Sequence, residues 1–356
     1  MRVALVHDWL TGMRGGEYVL EAMIDEFPDA EIFTLLHVPG SVSTKIESRP
    51  IHTSFVTHAP FARQHYRKYL PVFPLAIETL RPRGFDVVIS SSHCVAKAVR
   101  TGGTKHLCYC HTPVRYAWDQ FDEYFVDRAF ARALATPAAA ALRTWDRATA
   151  NRVDHFIANS NTVRDRIQKN YSRESTVIFP PVNVARFARP RAPSDFYLLV
   201  GALVPYKRID RAIAACAQAN RRLVIVGDGP DRKRLEAHAP PHVDFRGHVS
   251  DEVLAQLYSE CRALIMPGVE DFGISAVEAQ AAGAPVIALA SGGALDTVSQ
   301  DTGVLVADAT VDAFADAFCK LESTQFDERV ARENAARFGT DNFRSGLRST
   351  VQTLLA

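Results

Sequence analysis

Short apolar runs alternate with amphipathic stretches along the whole chain. The runs that predict strands in the first half lie at residues 2–6, 32–35, 87–90, 106–110, 156–159 and 176–178. The stretches between them that predict helices lie at residues 16–26, 128–151 and 162–170. Strands and helices that alternate in this way form a parallel sheet covered by helices, so the pattern predicts an α/β fold.

A second alternating series begins after a polar stretch. Residues 188–194 read Ala-Arg-Pro-Arg-Ala-Pro-Ser, have little to bury and predict a linker. The strands predicted beyond it lie at residues 197–200, 223–226, 243–245, 263–266, 286–288 and 304–306. Two series predict two doubly wound domains, residues 1–190 and 191–356, facing across a cleft, with ligands at the carboxyl ends of strands. The final stretch, about residues 326–354, is helical, and the pattern leaves open whether it returns to the first domain.

Composition agrees with a globular chain of this size. The 356 residues are 47% apolar and 23% charged, which excludes wholesale disorder. A formal net charge of +1 argues against a nucleic-acid-binding protein. The sequence has no apolar run long enough to span a bilayer and no signal-peptide pattern. Its six scattered cysteines predict reduced thiols in a cytoplasmic protein, with a zinc site as the remote alternative.

The net charge hides a difference between the two halves. Residues 1–195 carry 25 basic and 19 acidic side chains, whereas residues 196–356 carry 16 and 21. This excess suggests an anionic partner for the first half. One basic stretch mixes aromatic side chains with Arg63, Arg67 and Lys68. It is either a solvated cationic surface or a docking surface for anionic headgroups of a membrane or for a polyprenyl-diphosphate acceptor.

The sharpest local signal lies between Glu270 and Glu278. A predicted strand ends, Glu270 follows on a loop, and Gly273 begins a helix that contains Glu278. The free amides near Phe272, Gly273 and Ile274 carry partial positive charge, and glycine lets a phosphate approach them closely. Two carboxylates beside an anion site suit a ligand that has both phosphates and hydroxyl groups. The alternative is an acidic loop followed by an exposed helical glutamate.

A second signal is the pair of cations Lys207 and Arg208 after the strand at 197–200. A cation at a helix N-terminus opposes the helix dipole unless an anion is present, so Lys207 is a candidate diphosphate ligand. The alternative is a solvated lysine. The sequence Gly-Asp-Gly-Pro at 227–230 lacks the third glycine of a dinucleotide fingerprint and predicts a tight turn. The backbone at Gly247 and His248 could recognise a nucleobase edge.

In the first half, two features follow predicted strands. Gly15 and Gly16 precede a helix and permit close approach of a ligand to the backbone, which alone is weak evidence. His111 follows the strand at 106–110. It is either a polar group that reaches a reacting sugar or a structural loop histidine.

Together these residues resemble the retaining GT-B glycosyltransferases of family four. The matching motifs, in chain order, are Gly15-Gly16, His111-Thr-Pro, Ala158-Asn-Ser160, Pro205-x-Lys207, Gly227-x-Gly229-Pro230, Phe245-x-Gly247 and Glu270-x7-Glu278. Residues 7–10 with 15–17, and residues 110–116, are similar to the branch with O-antigen and exopolysaccharide mannosyltransferases. That branch suggests GDP-mannose as the donor and a glycan or polyprenyl-diphosphate-linked saccharide as the acceptor.

The resemblance implies a role for each position. Lys207 and the amides around Gly273 would hold the diphosphate, and Glu270 would bind hydroxyl groups of the donor sugar. Glu278 would bind the ribose, and residues 246–249, which include Gly247 and His248, would bind the base. His111 would contact the sugar near its reacting carbon. Gly15 and Gly16 would lie beside the phosphates and the acceptor. Many relatives have an arginine where this chain has Ala202, and Arg208 is the candidate replacement.

The sequence has no Asp-x-Asp metal motif, so we expect cations and a helix end to stabilise the leaving diphosphate without a metal or other cofactor. No carboxylate is placed as a nucleophile for double displacement, which favours retention by front-face attack. The alternatives are a nucleotide-sugar epimerase of the same architecture and a nucleotide-sugar-binding protein without turnover. Localisation on the inner face of the cytoplasmic membrane would follow from a basic docking surface.

Overall fold

The computed structural model describes residues 1–114, 117, 118 and 129–356, with side chains in the last range from residue 136 onward. The chain divides into two units. The first comprises Met1–Pro181 and Asp341–Ala356, and the second comprises Val182–Thr340. Each unit contains one parallel β-sheet flanked by helices, the α/β arrangement that the alternating pattern predicts.

The first unit contains a seven-stranded sheet. Its strands are β1 (Val3–His7), β2 (Glu31–Thr34), β3 (Ile51–Thr53), β4 (Val87–Ser92), β5 (Lys105–Cys110), β6 (His155–Ala158) and β7 (Ser175–Val177). The order across the sheet is β3-β2-β1-β4-β5-β6-β7, so the order in which strands are added reverses between β1 and β4, which remain parallel. This switch point leaves a crevice at the carboxyl ends of the two strands, where ligands bind in such folds.

The described helices of the first unit cover both faces of this sheet. They are α1 (Gly15–Glu26), α2 (Thr44–Glu47), α3 (Ala62–His65), α4 (Phe73–Thr79), α5 (Ala129–Thr149), α6 (Asn161–Tyr171) and α14 (Thr340–Leu355). Helix α14 comes from the far end of the chain and buries Phe343, Leu347 and Val351 in the core formed with β1 and α1. Arg344 and Arg348 of this helix also pair with Glu26 at the end of α1. The final helix therefore completes the first unit.

The second unit contains a six-stranded sheet. Its strands are β8 (Phe196–Val200), β9 (Arg222–Val226), β10 (Val243–Gly247), β11 (Leu264–Met266), β12 (Val286–Leu289) and β13 (Gly303–Val306). Their order is β10-β9-β8-β11-β12-β13, which puts the reversal between β8 and β11. The helices are α7 (Ile209–Gln218), α8 (Arg232–Ala237), α9 (Asp251–Glu260), α10 (Ile274–Ala281), α11 (Ala294–Thr297), α12 (Val311–Ser323) and α13 (Glu328–Ala336).

Parts of the predicted organisation differ from the structure. The units divide after Pro181 rather than after residue 190, because Phe187 is buried against the Tyr258 ring of the second unit, 5.4 Å between centroids. The predicted terminal helix is two helices, α13 and α14, which belong to different units. Strand β3 was not predicted, because none of its three residues is fully buried at the sheet edge and His52 is exposed.

Two further observations bear on the expectations about chemistry. All six cysteines are free thiols, and five of them are buried. Burial raises the pKa of the Cys108 and Cys261 thiols to about 12. Among the described residues, none of the helices is both long enough and apolar enough to cross a bilayer.

Candidate active site

Lys207 and Glu270 meet at the switch point of the second sheet. Lys207 follows β8 and Glu270 follows β11, the two parallel strands between which the strand order reverses. The Lys207 Nζ lies 2.8 Å from Glu270 Oε1, and the two side chains are 19% and 20% exposed. A small cavity beside them is lined by Met266, Gly268 and Ser275. The two residues that the sequence singled out separately thus form one partly buried ion pair.

Two glycines allow this approach. A Cβ atom on Gly268 would lie 2.6 Å from the Tyr206 carbonyl oxygen and 2.7 Å from Lys207 Cα, so the two loops touch through their backbones. A Cβ atom on Gly201 would lie 2.7 Å from Lys207 Nζ. Arg211 supports the same loop, since its guanidinium donates to the Pro267 carbonyl at 2.5 Å. None of these three residues was predicted as part of the site.

The loop that carries Glu270 leads into α10. Gly273 precedes the first residue of the helix, Ile274, and adopts a left-handed φ of 91° that favours glycine. The Gly293 amide donates to the Glu270 carbonyl at 2.8 Å, which fixes the loop to the following turn. The Phe272 side chain is buried against the Phe338 ring, which holds the end of this loop in place. The N-terminus of α10, which the sequence predicts as an anion site, therefore lies beside the Lys207–Glu270 ion pair.

Glu278 lies one turn further along α10 and is partly buried. The Tyr258 hydroxyl of α9 donates to its Oε2 at 2.7 Å. Burial raises the pKa of Glu278 to about 7, although the Tyr258 hydrogen bond acts in the opposite direction. This carboxyl group therefore changes its charge near neutral pH. The sequence gives no sign of its Tyr258 partner, which is on another helix.

Arg208, which follows Lys207 in the sequence, has a carboxylate partner in α7. Its backbone is left-handed, with a φ of 51°, and its guanidinium pairs with Asp210 at 3.1 Å in the first turn of α7. Partial burial raises the pKa of Asp210, but hydrogen bonds and charge from Arg208 lower it overall. The guanidinium is thus held by a carboxylate that a diphosphate would have to displace.

The candidate base site lies at the edge of the same sheet. Gly247 ends β10 with a left-handed φ of 64°, and its carbonyl accepts a hydrogen bond from the Gly227 amide at 2.8 Å. His248 follows and is exposed. A Cβ atom on Gly227 or Gly229 would collide with the backbone of residues 201–203, so these glycines pack turn against turn. The second sheet therefore presents, side by side, the ends of β10, β9, β8 and β11.

In the first unit, Gly16 and His111 lie together. Gly15 begins α1 after β1, and a Cβ atom on Gly16 would lie 3.3 Å from His7 Cε1 and 3.9 Å from His111 Nε2. His111 follows β5, and its Nε2 lies 2.8 Å from the Ser91 hydroxyl oxygen. Two features singled out separately are thus neighbours at the switch point of the first sheet. The following motif residues, Arg115 and Tyr116, lie outside the described part of the chain.

The basic stretch forms an exposed surface of the first unit. Arg63, Arg67 and Lys68 are all exposed, on α3 and the turn after it. Phe61 beside them is 74% exposed and has a left-handed φ of 54°. Leu75 on α4 is also exposed. Cations next to exposed large apolar side chains are typical of surfaces that contact another molecule.

Two family models match the chain. The model described as Glycosyltransferase Family 4 matches residues 13–186, and the model described as Glycosyl transferases group 1 matches residues 185–338. The two matches are consecutive and leave out only the first residues and the last helix. The second match contains Lys207, Glu270 and Glu278.

Several curated relatives are mannosyltransferases by name. A GDP-mannose-dependent alpha-mannosyltransferase of Mycolicibacterium smegmatis is 27% identical over 86% of this chain and 84% of its own length. The O-antigen chain mannosyltransferase RfbU of Salmonella typhimurium is 32% identical over 38% of this chain and 42% of its own. A GDP-mannose-dependent alpha-(1-6)-phosphatidylinositol monomannoside mannosyltransferase of Mycobacterium tuberculosis is 39% identical over 33% of this chain and 36% of its own. The chain thus spans less than half the length of the last two.

Solved structures share the fold of the whole chain. Anabaena HepE in complex with UDP is 20% identical, with a TM-score of 0.73 over 99% of this chain and 100% of its own. Sucrose-phosphate synthase of Thermosynechococcus elongatus is also 20% identical, with a TM-score of 0.77 over 99% of both chains. At these identities the likeness concerns the fold, which is GT-B.

Proposed function

Because the chain belongs to the family-four (group 1) glycosyltransferases, we propose that it transfers mannose from GDP-mannose to a glycan or lipid-linked saccharide of a surface polysaccharide. The observation that carries this proposal is the Lys207–Glu270 pair beside the N-terminal end of α10. It combines a cation, the backbone amides of a helix N-terminus and a carboxylate, which are the groups that a nucleotide sugar requires.

Lys207 and the helix end bind the diphosphate in this proposal. Without a ligand, the charge of Lys207 is compensated by Glu270 at 2.8 Å. A diphosphate offers Lys207 a stronger anionic partner, and the amides near Gly273 add partial positive charge. The released Glu270 carboxylate then accepts hydrogen bonds from sugar hydroxyl groups. The resting ion pair is exchanged for two sets of contacts with one ligand, so neither charge is left unpaired.

The rest of the donor follows along the sheet. Glu278 accepts hydrogen bonds from the ribose hydroxyl groups, and the exposed backbone at Gly247 and His248 receives the base at the end of β10. Guanine and mannose are supported by the names of the relatives, two of which are GDP-mannose-dependent. For the first unit, we propose that Gly15 and Gly16 contact the phosphates and the acceptor and that His111 contacts the sugar.

We propose transfer with retention and without a metal. The bond between the anomeric carbon and the β-phosphate oxygen breaks while the acceptor oxygen bonds to the same face of that carbon. The departing phosphate oxygen takes the acceptor proton, so GDP leaves and the electron count balances. Lys207 and the α10 amides stabilise the negative charge that develops on the leaving group. Proton NMR of the product tests this step, since an inverted anomeric linkage would reject front-face attack.

The basic surface with Arg63, Arg67 and Lys68 is proposed to dock on anionic lipid headgroups, where a lipid-linked acceptor is found. Its three cations and the exposed Phe61 and Leu75 support this proposal. Each cation near such a surface contributes roughly 1 kcal/mol. A cytoplasmic enzyme that docks in this way would be peripheral on the inner face of the membrane.

The decisive experiment measures GDP release from GDP-mannose with and without a membrane extract that supplies acceptor. We expect release that depends on acceptor and a fall in kcat/KM of about 100- to 1,000-fold for Lys207→Ala, the loss typical of removing one group that stabilises a leaving charge. Lys320→Ala, which changes an exposed lysine of α12, is the matched control. Isomerised sugar without acceptor would favour an epimerase, and binding without any product would favour a non-catalytic protein.

A further inference from the structure

A chain of buried polar groups lies beneath Gly16 in the first unit. His7 ends β1, Ser91 lies in β4 and Glu17 lies in the first turn of α1; their side chains are almost completely buried. The His7 Nδ1 lies 3.2 Å from the Ser91 hydroxyl oxygen, and that oxygen lies 2.8 Å from His111 Nε2. At the other end, His7 Nε2 faces Glu17 Oε1 at 3.7 Å.

We infer that the Glu17–His7–Ser91 chain determines which ring nitrogen of His111 carries the proton. In this role Glu17, His7 and Ser91 are positioning residues, because they act through His111. The inference uses the proposed function only for the identity of the ligand that His111 contacts. The three residues come from two strands and a helix. Neither the motif at 15–17 nor the motif at 111–113 therefore includes all three of them.

The direction of the hydrogen bonds along Glu17, His7 and Ser91 follows from counting protons. The His7 Nε2 is buried and has no hydrogen-bond partner among the described residues, and the Glu17 carboxylate is the charged group that faces it. A carboxylate opposite this nitrogen favours a proton on it, because a lone pair there would be repelled. In a neutral imidazole the other nitrogen, Nδ1, then has no proton and accepts a hydrogen bond.

Ser91 transmits this choice. Its hydroxyl group has one proton, which it donates to His7 Nδ1, so its oxygen must accept a hydrogen bond from His111. His111 therefore carries its proton on Nε2, and its Nδ1 is an acceptor. If His7 gained a second proton, it would donate to Ser91, which would then donate to His111 Nε2 and reverse the assignment. One proton on a buried residue thus decides whether His111 Nδ1 accepts or donates.

Other ionisable groups pack around this buried chain of polar side chains. The His7 ring is buried, and the Glu17 carboxylate faces it. Although burial raises the pKa of Glu17, its contacts with His7 and the charge of His93 lower it overall. The neighbouring Asp8 carboxylate is occupied by four backbone amides of residues 93–96 and by His93 Nδ1 at 3.1 Å. Gly16 packs on the His7 ring and covers the chain.

Strand β4, which contains Ser91, also provides a matched control. Ser90 points to the opposite side of β4, and its hydroxyl lies 2.9 Å from His106 Nε2, a second buried serine–histidine pair. Ser90→Ala and Ser91→Ala therefore remove equivalent groups from equivalent buried positions. Only Ser91→Ala interrupts the path to His111.

The test is a two-bond proton–nitrogen NMR spectrum of the full chain labelled with ¹⁵N-histidine, without donor, at pH 8. We expect His111 to show a protonated Nε2 and an unprotonated Nδ1 in the unchanged protein and in Ser90→Ala. In Ser91→Ala we expect this distinction to be lost, with both nitrogens at averaged shifts. Assignment uses His111→Gln, which removes one pair of signals, and thermal denaturation shows whether each variant is folded.

Two results would overturn the inference: a proton on Nδ1 of His111 in the unchanged protein, or the same tautomer in Ser91→Ala as in Ser90→Ala. Should Ser91→Ala fail to fold, Glu17→Gln takes its place. An unaltered His111 spectrum in that variant would contradict the inference that Glu17 acts on His111 through His7 and Ser91. These spectra require no donor and no turnover. They therefore stand or fall separately from the donor assignment, which the GDP-release experiment decides.

Discussion

Replacing Glu278 by glutamine should affect stability and ligand binding in opposite directions. Burial raises the pKa of this carboxyl group from its ordinary value of 4.5 to about 7. One unit of pKa corresponds to about 1.4 kcal/mol, so the ionised group costs the folded state about 3 kcal/mol. Glutamine has the same shape, remains neutral and can still accept the Tyr258 hydroxyl hydrogen bond.

The sign of the pH dependence follows from the raised pKa. Below pH 4.5 the group is protonated in both the folded and the unfolded chain and contributes nothing. Between pH 4.5 and 7 the unfolded chain loses this proton first, so the free energy of unfolding falls. Above pH 7 the full loss of about 3 kcal/mol remains. Glu278→Gln removes this loss, so its advantage over the unchanged protein should grow from near zero at pH 4.5 to its maximum above pH 7.

The assay is thermal and urea denaturation of both proteins from pH 4.5 to 8.5. At about 2–4 °C per kcal/mol for a domain of this size, Glu278→Gln should raise Tm by roughly 6–12 °C at pH 8.5. Glu333→Gln, an exposed position on α13, is the control and should change little at any pH. In the same samples, affinity for GDP should fall about 10- to 100-fold, since a hydrogen bond to a charged acceptor is lost.

A difference in stability that does not change with pH would refute the raised pKa of Glu278. A pH-dependent difference together with unchanged GDP affinity would leave the burial argument intact and reject the proposed ribose contact. The two parts of the prediction can thus fail independently.

Three further predictions concern other parts of the chain. Gly268→Ala should weaken GDP binding at least tenfold in titration calorimetry, because its Cβ would lie 2.7 Å from Lys207 Cα and force the two loops apart; unchanged affinity would show that the loops adapt. Turnover should continue in excess EDTA if Lys207 and α10 suffice, whereas loss of activity that Mg²⁺ restores would contradict metal independence. Replacing Arg63, Arg67 and Lys68 by serine should weaken co-sedimentation with anionic vesicles by up to about 100-fold. Binding equal to that of the unchanged protein would reject the docking surface.

Much of the candidate site could be predicted from sequence because it lies at strand ends. Once β8 and β11 are recognised, a parallel sheet brings their carboxyl ends together, so Lys207 and Glu270 converge without further information. The same rule places Gly16 and His111 in one place in the first unit. These positions depend on local pattern and on sheet topology, both of which the sequence expresses directly.

Other features depend on contacts between distant segments, which a local pattern does not encode. Gly268 is required because of the backbone at 206–207, and Glu278 is partnered by Tyr258 of another helix. Ser91 reads as one more small residue of a buried strand, yet it joins His7 to His111. The boundary predicted after residue 190 was wrong for the same reason. The burial of Phe187 against Tyr258 of the second unit cannot be inferred from the residues next to Phe187 in the sequence.

The return of α14 to the first unit has a consequence for biosynthesis. Leu347 and Val351 fill the same hydrophobic cluster as Leu5 and Ile89, so the first unit lacks part of its core until the whole second unit has been synthesised. The second unit, by contrast, is one continuous segment and is complete before them. We expect the second unit to reach its native state without α14, and the first unit to complete its core only once α14 has been synthesised, a reversal of the usual order.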